Sequence, residues 1–116
     1  MNDSTERREL PRVPLDVEIV VEVPRARFDA RAVNIGELGM RFVKTPGHPT
    51  PRGTEVLLDF ELPGDPEPFR ILGWVASDRE SGPTPSTSVT FVFHSEAEAD
   101  RIRRYVSRHR ATSSPA

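Results

Sequence analysis

From Val13 to Val23 apolar and polar positions alternate almost without a break. Val13, Leu15, Val17, Ile19, Val21 and Val23 fall on one face, with Asp16, Glu18 and Glu22 on the other. That period of two predicts a long strand with one buried side. After a turn at Pro24 and Arg25, Ala26, Phe28, Ala30 and Ala32 alternate with Arg27, Asp29 and Arg31 in a second strand. Met40 to Lys44 reads as a third. Val56, Leu58, Phe60 and Leu62 point inward from a fourth strand, and Phe69, Ile71, Gly73 and Val75 from a fifth. Val89, Phe91 and Phe93 mark a sixth.

Three segments between these runs read as connections. Asn34 to Gly39 holds residues that readily adopt turn geometry or positive φ. Thr45 to Gly53 carries three prolines and two glycines, and Ser77 to Thr87 has the composition of an exposed loop. Near the C-terminus the period changes. Ser95 followed by Glu98 is a capping-box pattern, and Ala99, Ile102, Val106 and His109, with Tyr105 beside them, form a helical stripe. The expected fold is all-β: a small six-stranded antiparallel barrel closed by a C-terminal α-helix. Residues 1–6 read as a disordered tail, 7–110 as the domain and 111–116 as a second disordered tail.

Composition narrows the functional classes. A chain of 116 residues fits one domain with a modest core. Its 16 basic and 18 acidic residues give a net charge of −2, not the basic footprint of a nucleic-acid binder. There is no cysteine, hence no disulfide framework, thiolate metal site or cysteine nucleophile. The first residues lack the apolar core of a signal peptide and no apolar run is long enough to span a membrane, so a cytoplasmic protein is expected.

Catalysis is not expected either. His48, His94 and His109 have no metal-ligand spacing, and no phosphate loop or nucleophile elbow is present. Asp59 and Glu61 lie on an outward strand face, as solvated charge. Five arginines at 101, 103, 104, 108 and 110 raise the idea of a nucleic-acid surface on the helix. The acidic first turn can neutralise them, for example Asp100 with Arg104, which favours a self-paired face. Trp74 points away from Ile71 and Val75. It is either a stacking platform or partner contact, or it packs under a helix or loop.

The remaining feature is Arg7-Arg8-Glu9-Leu10-Pro11-Arg12, three guanidiniums at the entrance to the first strand. A guanidinium is a rigid fork of donors that grips phosphate oxygens and guanine edges. Alone, the segment also reads as a solvated charged tail. In a barrel, however, it can share a rim with the Asn34–Gly39 connection and form a small anion site.

At these residues the chain resembles the PilZ domain family, whose signature is RxxxR followed by (D/N)xSxxG. Arg8 to Arg12 matches the first motif. Asn34-Ile35-Gly36-Glu37-Leu38-Gly39 matches the second, 22 positions after Arg12, except that Gly36 replaces the serine. Gly39-Met40-Arg41-Phe42, the Gly53 to Pro63 stretch, Gly73-Trp74-Val75 and Ser88-Val89-Thr90-Phe91 echo further family segments, so the likeness spans 7–110. The resemblance implies the same barrel and a non-enzymatic receptor for cyclic di-GMP that signals to a protein partner. Arg8 and Arg12 would then clasp phosphates and guanine edges, and Asn34 would bond a guanine. Gly39 would allow close approach, and Arg7 would accompany a stacked pair of ligands. Gly36 offers no hydroxyl, and leaves open an adaptor that acts without the ligand.

Overall fold

The computed structural model describes residues 11–44, 48, 50–79 and 84–113, with side chains as far as 110. Its strands are β1 (Arg12–Val23), β2 (Ala26–Gly36), β3 (Gly39–Lys44), β4 (Glu55–Leu62), β5 (Asp65–Arg79) and β6 (Ser86–Val92), followed by α1 (Glu96–Ser113). All strand pairs are antiparallel, and the sheet closes into a barrel in the order β1-β2-β3-β6-β5-β4. The six-stranded barrel with a C-terminal helix is the fold the alternation predicts. Its inward positions also match: Ile19, Val21, Ala32, Met40, Phe42, Val56, Leu58, Phe69, Ile71 and Val75 are all buried in one core.

The helix plugs one end of the barrel. Ser95 Oγ accepts a hydrogen bond from the Glu98 backbone N–H at 3.2 Å. The Glu98 carboxylate reaches back to the His94 N–H, also at 3.2 Å. Two donors without partners inside the helix are thereby satisfied. Ala99, Ile102, Tyr105 and Val106 are buried on the inner face, and each larger side chain contributes about 1.5–3 kcal/mol by leaving water. Arg101 fixes the outer side. It donates to Asp65 Oδ2 at 3.0 Å and to the Glu67 carbonyl at 2.6 Å, with its guanidinium 3.8 Å above the Phe69 ring. Partial burial would raise the Asp65 pKa, but bonds from Arg101 and the Glu67 N–H outweigh it and hold the carboxyl below its ordinary range.

The opposite end is closed by polar groups that the composition of 77–87 assigns to an exposed loop. There β5 runs on to Arg79 and β6 starts at Ser86, so Asp78, Ser86 and Thr87 are strand residues. Lys44 Nζ donates to Asp78 Oδ1 at 2.6 Å and to Thr50 Oγ1 at 2.7 Å, and Thr87 Oγ1 donates to Asp78 Oδ1 at 2.6 Å. Lys44, Thr50 and Thr87 are buried. A buried ion pair survives only when hydrogen bonds satisfy the remaining lone pairs and protons, and among the described residues no buried side-chain polar atom lacks a partner. His48 stacks on Phe28 with ring centroids 4.6 Å apart and covers the same end.

The connection between β2 and β3 is tighter than expected. Asn34, Ile35 and Gly36 belong to β2, leaving only Glu37 and Leu38 as the turn. Among the described residues the glycines with positive φ are Gly53 and Gly64, so Gly36 and Gly39 serve another purpose. Gly39 lies against β6, where an added Cβ would come within 2.1 Å of the Val89 carbonyl oxygen. At Gly36 the added atom would meet the Pro11 carbonyl oxygen at 3.0 Å. Both glycines permit close backbone approach.

These contacts set the stability expected of three sets of variants. Lys44→Met leaves the Asp78 carboxylate buried without its cation and should cost about 3–5 kcal/mol in denaturant unfolding. Asp78 has a lowered pKa: burial raises it, but the bonds from Lys44, Thr87 and Thr50 overcome that effect. Its contribution is therefore complete above the ordinary value of 3.8 and is lost as pH falls through the depressed one. Unfolding measured across that acid range should show a drop in stability that Asp78→Asn flattens. Gly39→Ala should cost about 1–3 kcal/mol or more by overpacking, and Gly36→Ala clearly less; equal losses in urea melts would remove the distinction.

Candidate functional site

Adjacent β1, β2 and β3 bring part of the predicted site together on the outer wall, at the end of the barrel that α1 covers. Arg12 opens β1 and lies directly across from Gly36 on β2. Asn34 is opposite Pro14 of β1 on one side and Arg41 of β3 on the other. Irregularities in register between Pro14 and Val17 and between Ala32 and Asn34 place both Val33 and Asn34 away from the core while Ile35 returns to it. Arg12 Nη1 is 3.4 Å from Asn34 Oδ1, a long hydrogen bond between exposed groups. With that oxygen turned towards arginine, the Asn34 amide N–H groups are donors for a ligand acceptor.

Gly39 stands across the two-residue turn at the start of β3 and is buried against β6. It shares a lateral row with Thr90 of β6 and Trp74 of β5. Arg7 and Arg8 lie outside the described residues, so the structure places Arg12, Asn34, Gly36 and Gly39 of the predicted set.

One further side chain belongs to this surface. Arg41, half-buried, faces outward next to Asn34 and is held by Ser86 Oγ, which accepts from its Nη2 at 3.1 Å and its Nε at 3.3 Å. Its position between the inward Met40 and Phe42 was the available signal. Trp74 is 48% exposed, so it does not pack under a loop; its outward face is available for stacking. The site thus combines two described guanidiniums and an amide. Such groups suit an anionic, planar ligand.

The arginines of α1 are engaged elsewhere. Arg101 is anchored to the β4–β5 hairpin as described above. Arg103 pairs with the Asp100 carboxylate and lies 4.0 Å from Glu37. Arg104 Nε contacts the Asp100 carbonyl oxygen at 3.4 Å, so the carboxylate's partner is Arg103 rather than Arg104. Arg101 and Arg103 are thus paired within the molecule. His94 binds through its backbone to the helix cap, and His109 donates from Nδ1 to the Tyr105 carbonyl at 3.0 Å. Among the described residues no three metal-binding side chains converge, and no helix is long and apolar enough to cross a membrane.

Comparison with known proteins agrees with this fold. The motility inhibitor MotI/DgrA of Bacillus subtilis superposes with a TM-score of 0.79 at 16% identity, over 94% of this chain and 54% of the other. This chain therefore spans about half the length of that protein. The PilZ domain of YcgR from Escherichia coli, solved with c-di-GMP, gives 0.74 at 14% identity, covering 92% and 94% of the two chains. PlzA of Borreliella burgdorferi, also solved with c-di-GMP, gives 0.56 at 9% identity, covering 98% and 57%. No curated protein sequence matches significantly. The family model for the PilZ domain matches residues 6–108. With the model covering nearly the whole barrel and helix, the chain belongs to the PilZ domain family.

Proposed function

We propose that this protein is a non-enzymatic cytoplasmic receptor for cyclic di-GMP that reports ligand binding to a protein partner. The observation that carries the reading is the outward row of Arg12, Asn34 and Arg41 beside the Gly36 backbone. It lies where the arginine linker enters the barrel of a PilZ chain. YcgR and PlzA, which share the fold, were solved with this ligand.

In this reading Arg8 and Arg12 close on the ligand's phosphates and guanine edges, and the Asn34 amide donates to guanine. Arg41 adds positive charge beneath them. Gly39 keeps the β2–β3 turn flush with β6, so a flat ligand can lie across the wall. Ordering the linker over the ligand is the conformational change a partner would read.

Gly36 supports a second reading. Without a serine hydroxyl the site loses one neutral hydrogen bond, about 0.5–1.5 kcal/mol, or at most roughly tenfold in affinity. A ligand-independent adaptor of the same fold is the alternative. The atoms nearest an added Cβ at 36 are the Pro11 carbonyl oxygen at 3.0 Å and Arg12 Cγ at 3.2 Å. The group that must yield to a serine is therefore the linker entrance itself.

Titration calorimetry with cyclic di-GMP separates the two. Binding in the micromolar range supports the receptor, whereas no heat at tens of micromolar ligand (a practical ceiling) leaves the adaptor. Given binding, Arg8→Ala and Arg12→Ala should each remove most of the affinity, and Gly36→Ser should preserve or improve it. Two ligands per chain, reduced to one by Arg7→Ala, is the result expected for a stacked pair; a single ligand in the unaltered protein removes that role from Arg7.

A further inference from the structure

One band of the barrel wall is apolar on its outer side. Leu57 of β4, Leu72 of β5 and Val92 of β6 lie side by side in one lateral row. They point outward in alternation with the buried Leu58, Ile71 and Phe91. Trp74, two residues along β5, extends the band into the next row, between Glu55 of β4 and Thr90 of β6. Trp74 and Val92 are 48% and 41% exposed, two of the three large hydrophobic side chains so exposed among the described residues. Such side chains are ordinary when scattered singly. Gathered with two leucines on one wall, they mark a contact surface.

The polar groups around this band are arranged about Leu72. Arg70 stands two residues from it along β5, opposite Asp59, while Trp74 stands two residues the other way, opposite Glu55. The Arg70 side chain is 65% exposed, and its partners within the chain are loose, Glu22 at 3.8 Å and Asp59 at 3.7 Å. A guanidinium is attracted both to an indole face and to a carboxylate. The cation and its two kinds of partner therefore lie at equal spacing on either side of one leucine.

We infer that this wall is the contact between two copies of the chain, related by a two-fold axis that crosses β5 at Leu72 in the plane of contact. The axis sets the two β5 strands antiparallel across the interface, so Leu72 meets Leu72. Arg70 of each copy then lies over the Trp74 ring of the other and beside its Glu55. The same pairing occurs twice, as a two-fold interface requires. A dissimilar partner could cover the leucines, but it would not call for a cation and its partners spaced evenly about one residue. The band is smaller than the roughly 20–30 residues a side of a standard interface, so the dimer is weak, with a Kd of about 10–100 μM. Arg12, Asn34 and Arg41 stand on β1, β2 and β3. The contact uses β4, β5 and β6 and does not depend on the ligand assigned to the other surface.

The test is sedimentation velocity of the full chain without cyclic di-GMP, over concentrations from about 5 to 500 μM, a range that brackets the expected Kd. A reversible monomer–dimer equilibrium is expected. Trp74→Glu, at an exposed position, should weaken it about tenfold or more. Arg70→Glu and Glu55→Arg should each weaken it as well, because like charges then face each other in both halves of the contact. Mixed one to one, these two variants should form a heterodimer as tight as the dimer of the unaltered chain, since both halves regain opposite charges. That recovery also shows that both variants are folded. A chain that stays monomeric throughout the range overturns the proposal. So does a dimer that Trp74→Glu leaves intact, or a mixture that associates no better than its components.

Discussion

The candidate site depends on the register between β1 and β2. Arg12 opposite Gly36 and Pro14 opposite Asn34 is the pairing that sets the last linker guanidinium beside the amide. A slip of one residue would send Val13 and Ile35, both buried, to the solvent face. The core therefore holds the site in place: removing those side chains from water fixes the register. The irregularities after Pro14 and Ala32 then adjust the outward direction of Asn34 without disturbing the buried row. Gly36 and Gly39 let the chain pass closely at both ends of the turn, so the wall stays flat where a ligand would lie.

Much of this fold could be read from one periodicity. A period of two identifies the inward residues of β4 and the apolar inward residues of β5 because one-sided burial leaves a plain pattern, and the change to a helical period after Ser95 marks α1. Composition misled where polar residues were buried. Thr87 and Asp78 look like loop residues, yet they are strand residues that Lys44 makes tolerable in the interior; a partner 34 positions from Asp78 leaves no local trace. Asn34 to Gly36 likewise looked like a turn because glycine serves two purposes. Here it allows approach to β1 and β6, and only three-dimensional neighbours distinguish that from positive φ. Arg41 has no role assigned by its motif, although alternation with Met40 and Phe42 turns it outward.

The two ends of the barrel are closed by different physics. At the helix end closure is mainly apolar and adjustable, with Arg101 as a polar anchor over Phe69. The outward row of Arg12, Asn34 and Arg41 lies towards that end. The far end is locked by a dry ion pair and two threonines, where geometry must be met closely or the charges are stranded. Change of shape is thus easier near the helix than at the Lys44 end.

Lys44 is also the single lysine of the sequence, and its side chain has no exposed surface. Its ε-amine is shielded from any amine-directed reagent or modifying enzyme while the barrel is closed. Acylation at this one position would consequently record how often the locked end opens, turning a structural residue into a built-in clock for local unfolding.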